Sequence, residues 1–303
     1  MPKYTEQMDH PVPCVDVIIL NDRDEILLTK RAVEPHQGRW SIIGGRVEVA
    51  DNNIEATAAR EVKEEAGLEI QLTHLVDILA DSAIADPRFF VVQVVYAAKI
   101  AGGSLQTSRE ANEFKWLPLD AALQEKLAFN HQQILQVYAS KKIQGKLLTT
   151  QRRIFSEYFT RGFVYEQNIY PRFAANAIIL NDQKEILLAQ RHQRPFTGAW
   201  DFPGGHIYVD ETIEENLKRE LREELGVESE MGELFQVYSD KGHSPKFADV
   251  VAFYFTTIKS QNFIRNIEMQ DFKYFPLSNL PAEIAYHNEG ALADIREFIF
   301  GDK

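Results

Sequence analysis

Gly204-Gly205-His206-Ile207-Tyr208-Val209-Asp210-Glu211, followed by Arg219-Glu220-Leu221-Arg222-Glu223-Glu224-Leu225-Gly226-Val227, reads as a glycine turn feeding a helix that carries three glutamates ahead of a closing glycine. At about 100° per residue, Ile213, Leu217, Leu221 and Leu225 step round one side of that helix. Glu220 and Glu224 then project beside or between them, and Glu223 lies on the adjoining edge. The ordinary reading of a Glu-rich helix is a solvated, charge-laced face. Such a face would set its carboxylates opposite the apolar arc, because charge taken out of water unpaired is costly. Here they border the arc, so something cationic must offset them. Arg219 can pair with one, and clustered hard oxygen ligands suit Mg²⁺ or Mn²⁺ bound together with substrate phosphates.

Gly44-Gly45-Arg46-Val47-Glu48-Val49-Ala50-Asp51, then Arg60-Glu61-Val62-Lys63-Glu64-Glu65-Ala66-Gly67-Leu68, is a near copy. Ile54, Ala58, Val62 and Ala66 repeat the apolar arc, so Glu61 and Glu65 again border it while Glu64 sits at its edge. The repetition runs further. Val17-Ile18-Ile19-Leu20-Asn21-Asp22 with Glu25-Ile26-Leu27-Leu28 returns as Ala177-Ile178-Ile179-Leu180-Asn181-Asp182 with Glu185-Ile186-Leu187-Leu188, each a strand, turn and strand. Arg31, Pro35, Gly38 and Trp40 return as Arg191, Pro195, Gly198 and Trp200. Glu110, Phe114, Lys115 and Pro118 return as Glu268, Phe272, Lys273 and Pro276, and Leu127-Ala128-Phe129 as Ile284-Ala285-Tyr286. The chain is a tandem duplication.

Both segments resemble the Nudix box: a glycine, five residues, a Glu, seven residues, then R-E-aliphatic-x-E-E-x-G-aliphatic. Residues 205 to 227 match at every fixed position, through Gly205, Glu211, Arg219, Glu220, Glu223, Glu224 and Gly226. The first copy carries one extra residue between Gly45 and Arg60, and Asp51 or Asn52, depending on where the gap falls, replaces the outlying Glu. That shorter or neutral side chain is expected to weaken the support of the helix cluster and to leave the second half as the principal catalyst. The resemblance implies an α/β fold made of two tandem Nudix-type α/β/α sandwich domains, each a mixed β-sheet between helices; periodicity alone says only mixed α/β. The domains are expected at residues 1–145 and 167–303, with final helices near Gln132 to Ala139 and Ala291 to Ile299. A basic linker at 146–166, with a seam inside 142–170, is expected to form a short connecting helix. A fold that commonly dimerises suggests an intrachain pseudo-dimer.

The resemblance also implies hydrolysis of a diphosphate bond. Glu220, Glu223 and Glu224, and in the first half Glu61, Glu64 and Glu65, would be metal ligands for Mg²⁺ or Mn²⁺, with one able to act as base. Arg219 and Arg60 would orient a glutamate, and Gly204, Gly205, Gly44 and Gly45 would let the backbone approach the ligand. A base outside the helix would sit near the following strands, where Glu110, Glu113, Glu268 and Asp271 are candidates. The expected substrate is a nucleoside diphosphate linked to another moiety, ADP-ribose or a nucleotide sugar. The alternatives are a nucleotide or ADP-ribose sensor whose first half binds without cleaving, and a nucleoside triphosphate pyrophosphohydrolase.

Composition limits the partners. A formal charge of -12 and a pI near 5.2 oppose nonspecific binding to nucleic acid or to an anionic membrane. Cys14 is the sole cysteine, which excludes an intramolecular disulfide and is expected to be a buried thiol. No apolar run approaches the ~20 residues of a membrane helix, and the first residues lack the apolar stretch of a signal peptide, so a cytoplasmic protein is expected. Asp86-Pro87-Arg88 and Ser244-Pro245-Lys246 occupy matching loops that could touch phosphate, although a solvated loop is the plainer reading. Trp40 and Trp200 are expected to pack in the core. His36, His192, His206 and His243 lack His-x-x-x-His partners and are taken as surface or substrate-edge residues.

Overall fold

The computed structural model describes residues 11–48, 50–86, 89–150, 172–209, 211–240 and 249–301. The chain forms two compact units, Met1–Arg153 and Ile154–Lys303, each built on a mixed sheet. Residues 151–170 of the seam expected inside 142–170, the Ser244-Pro245-Lys246 loop, His243, and Pro87 and Arg88 lie outside the described residues.

In the first unit the order is β1 (Val12–Leu20), β2 (Ile26–Arg31), β3 (Trp40–Ser41), β4 (Ile43–Arg46), α1 (Ile54–Ala66), β5 (Leu68–Asp86), β6 (Phe89–Gly103), β7 (Ala111–Leu117), α2 (Leu119–Ala122), α3 (His131–Gln144) and β8 (Leu148–Thr149). The sheet runs β3-β2-β1-β6-β5-β8, with β4 on β1 and β7 on β2. β1 and β6 are parallel, Val15 opposite Val94, while β1 and β4 are antiparallel, Val15 opposite Gly45. Because successive residues of a strand face opposite ways, Ile18 and Leu20 join Ile134, Leu135 and Tyr138 of α3 in one core. Val15, Val17 and Ile19 are fully buried on the other face, where α1 packs on β1, β4 and β5. The sheet is therefore covered on both sides. β8 pairs with β5, His74 opposite Thr149, so ordered strand of this unit continues beyond residue 145.

The second unit contains β9 (Arg172–Ile178), β10 (Glu185–Arg191), β11 (Trp200–Asp201), β12 (Gly204–His206), α4 (Ile213–Leu225), β13 (Ser229–Asp240), β14 (Asp249–Ile258), β15 (Met269–Pro276) and α5 (Glu289–Phe300). Strands β12-β9-β14-β13 and β11-β10-β15 form two sheets, bridged at Leu180 and Ile186. α4 packs on β12, β13 and β9, and α5 contributes Ala291, Leu292 and Ile295 to the core on Ile178, Ile186 and Phe253.

The two box helices end alike and begin differently. Gly67 and Gly226 close them at φ 73° and 75°, a left-handed conformation that glycine adopts without steric cost. Thr212 opens α4 with a reciprocal capping box to Glu215, whereas Asn53 opens α1 through its side chain alone, accepting from the Ala56 N–H at 2.7 Å. Trp40 and Trp200 are half-buried and pack against the cores, as expected. Cys14 is half-buried rather than buried, because near the start of β1 it packs against Val12 and Val91 instead of in a main core.

Candidate active site

Arg219 organises the second site. Its Nε donates to Glu211 Oε1 at 2.6 Å and one terminal nitrogen to Glu211 Oε2 at 3.0 Å, a bidentate fork suited to a carboxylate. The other terminal nitrogen donates to Glu220 Oε1 at 2.8 Å and Glu223 Oε2 at 3.1 Å. The His206 carbonyl accepts from the same guanidinium at 3.1 Å, and Asn216 Nδ2 donates to that carbonyl at 2.8 Å. One arginine thus ties the glycine strand β12 to the helix.

Two glycines let that strand come close. Gly204 has φ 143°, a region open to glycine alone, and its N–H donates to Glu224 Oε2 at 2.9 Å. A Cβ on Gly205 would collide with the Glu220 carboxylate. Burial pushes the Glu220 and Glu224 carboxyls up, Glu224 well above the usual range, with Glu268 adding to both and Asp201 to Glu224. Glu211 is the opposite case: burial would raise it, but the Arg219 fork and the Tyr208 N–H hold it below the usual range.

The first site is built on the same plan with one substitution. Arg60 Nε and a terminal nitrogen fork onto Asp51, both at 2.9 Å. The other terminal nitrogen reaches Glu61 at 2.8 Å and Glu64 at 3.3 Å, and Arg46 O accepts at 3.1 Å. Asp51 also accepts from Thr57 Oγ1 at 2.8 Å and the Glu48 N–H at 3.0 Å. The expected loss of support therefore does not occur. The extra residue in the loop moves the carboxylate one step along the chain, and the shorter side chain then ends at the guanidinium. Asp51, not Asn52, fills the position.

The sites differ behind the glycines. Glu65 is buried and its carboxyl is raised well above the usual range, by burial first and then by Glu61 and Glu110. No counterpart of the Gly204 N–H bond to Glu224 reaches it among the described residues. Asp16, which would meet a Cβ on Gly44, accepts from Gln93 Nε2 at 2.8 Å and faces His131 Nε2 at 3.4 Å. His131 Nδ1 accepts from the Ile42 N–H at 3.1 Å, which leaves the proton on Nε2, towards Asp16. In the second unit Asn176 stands in place of Asp16, and the buried carboxylate is Asp201 instead, bound by Arg191 at 3.1 Å and Asn288 at 2.9 Å.

Of the four carboxylates considered as a base outside the helix, Glu110 and Glu268 act electrostatically on the box glutamates. Glu113 is taken by Lys30 at 2.8 Å and Asp271 by Arg265 at 3.0 Å. His206 lies 3.2 Å from Asp249, His192 3.1 Å from Gln270, and His36 packs edge-on to Phe129. Sequence reasoning missed Asp16, Asp201, His131, Asn288 and Tyr208, since none repeats between the halves. A cavity of about 480 Å³ lined by Gln190, His192, Arg265, Asn266, Gln270 and Asp271 contains none of the box carboxylates.

No three His, Cys, Asp or Glu side chains converge as a finished cation cage among the described residues. The donor set nonetheless fits a hard divalent cation. Each site offers several carboxylates beside an apolar arc, and in the second site Glu220 and Glu224 each have one oxygen bonded, to Arg219 and Gly204, leaving the other oxygen without a hydrogen bond among the described residues. Burial that disfavours their charge is what a bound cation would offset.

The model of the NUDIX domain matches residues 10–138 and again 170–295. The chain belongs to the Nudix family. It is a tandem Nudix hydrolase of mixed α/β fold, an enzyme acting on diphosphate bonds, and such hydrolases generally need a divalent metal. It is similar to an ADP-ribose pyrophosphatase of Methanocaldococcus jannaschii, 36% identical over 43% of this chain and 73% of that protein. An ADPR responsive transcriptional repressor, NtrR, of Acinetobacter baylyi is 32% identical over 43% of this chain and 55% of its own length. An 8-oxo-dGDP phosphatase of Danio rerio is 34% identical over 33% of this chain and 28% of that protein. Among solved structures, the Nudix domain of Shewanella oneidensis NrtR complexed with ADP ribose aligns at 25% identity and a TM-score of 0.39, over 47% of this chain and 93% of that one. Among the described residues no helix is long and apolar enough to cross a membrane.

Proposed function

We propose that both halves are Mg²⁺- or Mn²⁺-dependent pyrophosphohydrolase sites that cleave a nucleoside diphosphate linked to another moiety, with ADP-ribose or a nucleotide sugar as substrate. The observation that carries this reading is the guanidinium lattice, Arg219 on Glu211, Glu220 and Glu223 and Arg60 on Asp51, Glu61 and Glu64. An ADP-ribose pyrophosphatase among the relatives supports the substrate class.

Glu220, Glu223 and Glu224, and Glu61, Glu64 and Glu65, would hold the metal. Held there, a divalent ion would supply charge to neutralise phosphate oxygens and would lower the pKa of a water. Arg219 aims Glu220 and Glu223, and Arg60 aims Glu61 and Glu64, through one oxygen of each, which leaves the other oxygen for the ion. The Gly204 N–H fixes Glu224 Oε2. The proton of the attacking water would go to Glu220 or Glu224, whose carboxyls are raised by burial and further by Glu268, or to Glu268 itself; in the first half the set is Glu61 and Glu65, raised by burial and further by Glu110, and Glu110 itself.

A second reading, a first half that binds nucleotide without cleaving it, rests on Glu65, which among the described residues has no counterpart of the backbone N–H that fixes Glu224. A phosphate-release screen of nucleotide sugars, dinucleotides and triphosphates, with Mg²⁺ and with chelator, decides among the substrate classes. Release from ADP-ribose only with metal is expected. Release from triphosphates alone, or undiminished release in chelator, overturns the reading.

A further inference from the structure

Six residues other than glycine have positive φ among the described residues, and four of them form two equivalent pairs: His36 (67°) with Phe129 (50°), and Phe196 (63°) with Tyr286 (52°). Left-handed backbone is uncommon outside glycine and is least comfortable for bulky side chains, and strain of this kind collects at ligand sites. The same strain at the same two positions of both halves is a built feature.

The rings it presents meet. His36 and Phe129 are edge-to-face with centroids 4.8 Å apart, and Phe196 and Tyr286 are edge-to-face at 4.9 Å. Beneath each pair lies an arginine. The Arg31 guanidinium sits 4.8 Å from the Phe129 ring and that of Arg191 4.9 Å from the Tyr286 ring. Each arginine is fixed through Nε by the carbonyl of the proline before the first aromatic, Pro35 at 2.8 Å and Pro195 at 3.0 Å. All four rings are half-exposed. The two loops are also pinned to the core, since the Ala128 N–H donates to the Trp40 carbonyl and the Trp200 N–H to the Glu283 carbonyl.

These rings connect to the carboxylates through short chains of contacts. From Tyr286 the path runs through Arg191 to Asp201 at 3.1 Å. Three residues on, the Gly204 N–H meets Glu224. In the first half Phe129 packs against His131, centroids 5.4 Å apart, and His131 faces Asp16, against which Gly44 lies. The charges of Asp201, Asp249 and Glu224 also act on the Tyr286 hydroxyl.

We propose that these platforms, Phe196 and Tyr286 over Arg191 and His36 and Phe129 over Arg31, hold the flat base of the nucleoside diphosphate, and that their different rings give the two halves different base preferences. This rests on the diphosphate reading above. Bases have π faces that stack on aromatic side chains largely without regard to sequence, and guanidinium planes add to such stacks. A phenyl and phenol pair offers only ring faces and one hydroxyl. An imidazole and phenyl pair adds ring nitrogens that can meet a base edge, so the first platform discriminates among bases more than the second.

The test is equilibrium binding to the full chain with Mg²⁺, using fluorescent 1,N6-ethenoadenosine diphosphate, with inorganic pyrophosphate as the ligand without a base. One site at a time is read in chains carrying Glu61→Gln and Glu65→Gln, or Glu220→Gln and Glu224→Gln. In the first background, Phe196→Leu and Tyr286→Leu, which keep apolar volume but remove the π face, should each weaken the ethenoadenosine ligand by about tenfold. Pyrophosphate binding should stay within about twofold, and Tyr286→Phe, which keeps the ring, should weaken the ethenoadenosine ligand less than Tyr286→Leu. Phe129→Leu and His36→Leu should act likewise in the second background. Unchanged ethenoadenosine binding in the leucine variants, equal loss of both ligands, or no ethenoadenosine binding by the parent overturns the platform. A parent that binds the fluorescent ligand and loses it with the leucines, yet releases nothing from any diphosphate, upholds the platform and overturns the hydrolase reading instead.

Discussion

The two sites in this chain solve one geometric problem with different residues. In the second, a glutamate one residue before the helix cap forks onto Arg219; in the first, an aspartate two residues before the cap forks onto Arg60 at the same distances to within 0.3 Å for Nε, 2.6 Å against 2.9 Å. Side-chain length and chain position trade against each other. What must be preserved is the location of a carboxylate relative to the guanidinium, and a spacing pattern is only an indirect record of it. The difference that is not compensated lies deeper, at Glu224 and Glu65, where one buried carboxylate accepts from a backbone N–H and the other has none among the described residues.

The largest effect tests whether both sites turn over. Glu61→Gln, Glu65→Gln, Glu220→Gln and Glu224→Gln together should abolish release from ADP-ribose, a loss of at least about 10³-fold in kcat, the scale on which removing one electrostatic stabiliser already acts. Either pair alone should leave the other site running. If the first pair changes nothing while the second removes all activity, the first half is a binding module and the comparison describes an enzyme beside a sensor.

Next come the arginines. Lysine cannot reproduce a planar fork on two or three carboxylates, so Arg219→Lys and Arg60→Lys, each in a chain whose other site is silenced, should lower kcat/KM by about a hundredfold, as a misplacement of about 1 Å does. Asp51→Asn should cost less than Arg60→Lys, because the Thr57 and Glu48 contacts still place the side chain. Equal kcat/KM for wild type and Asp51→Asn would mean that the first-half fork is ornamental.

A smaller effect concerns stability without metal. The folded-state carboxyl of Glu224 is raised above its unfolded value, so at pH above the ordinary carboxylate range the folded chain holds more protons at this site than the unfolded chain. Stability from this group is then greatest at low pH and falls as pH rises from about 4.3 through the raised folded-state value. In chelator at neutral pH, Glu224→Gln should raise Tm by about 2–4 °C per kcal/mol removed, and the gain should vanish at low pH, where the glutamate is neutral. Mg²⁺ should stabilise the parent more than the variant. A variant that melts below the parent in chelator at neutral pH would show that the charge is already satisfied.

Much of this was legible in the sequence, and for a definable reason. The box repeats, its apolar arc has helical period, and Glu220 and Glu224 sit beside that arc, so burial and function follow from angle alone. The duplication doubled the signal and gave both final helices. What stayed hidden depends on contacts between distant segments. Asp201 becomes part of the site only because β11 lies beside β10 and Arg191 faces it. His131 and Asn288 occupy equivalent places with unlike partners, so no repeat marks them. The compensation at Asp51 was hidden because pattern matching treats an inserted residue as damage, whereas the backbone uses it to shift a shorter side chain to the same point.

The smallest expected effect lies at Tyr208, where the halves differ on the outer side of the guanidinium. Arg219 lies 4.4 Å from the Tyr208 ring centroid, while in the first half Glu48 holds the corresponding place and gives only its N–H to Asp51. Tyr208 is half exposed to water, 46%, so the stack should be worth about 0.5–1 kcal/mol, the range for exposed cation–π contacts. It does not set where Arg219 points, because the Glu211 fork and the His206 carbonyl do that; it narrows the guanidinium's excursions. Tyr208→Leu should therefore reduce kcat/KM by about two- to fivefold. Glu48→Tyr in the first half should give a gain of similar size. A Tyr208→Leu loss approaching that of Arg219→Lys would mean that the ring, and not the carboxylate fork, aims the arginine.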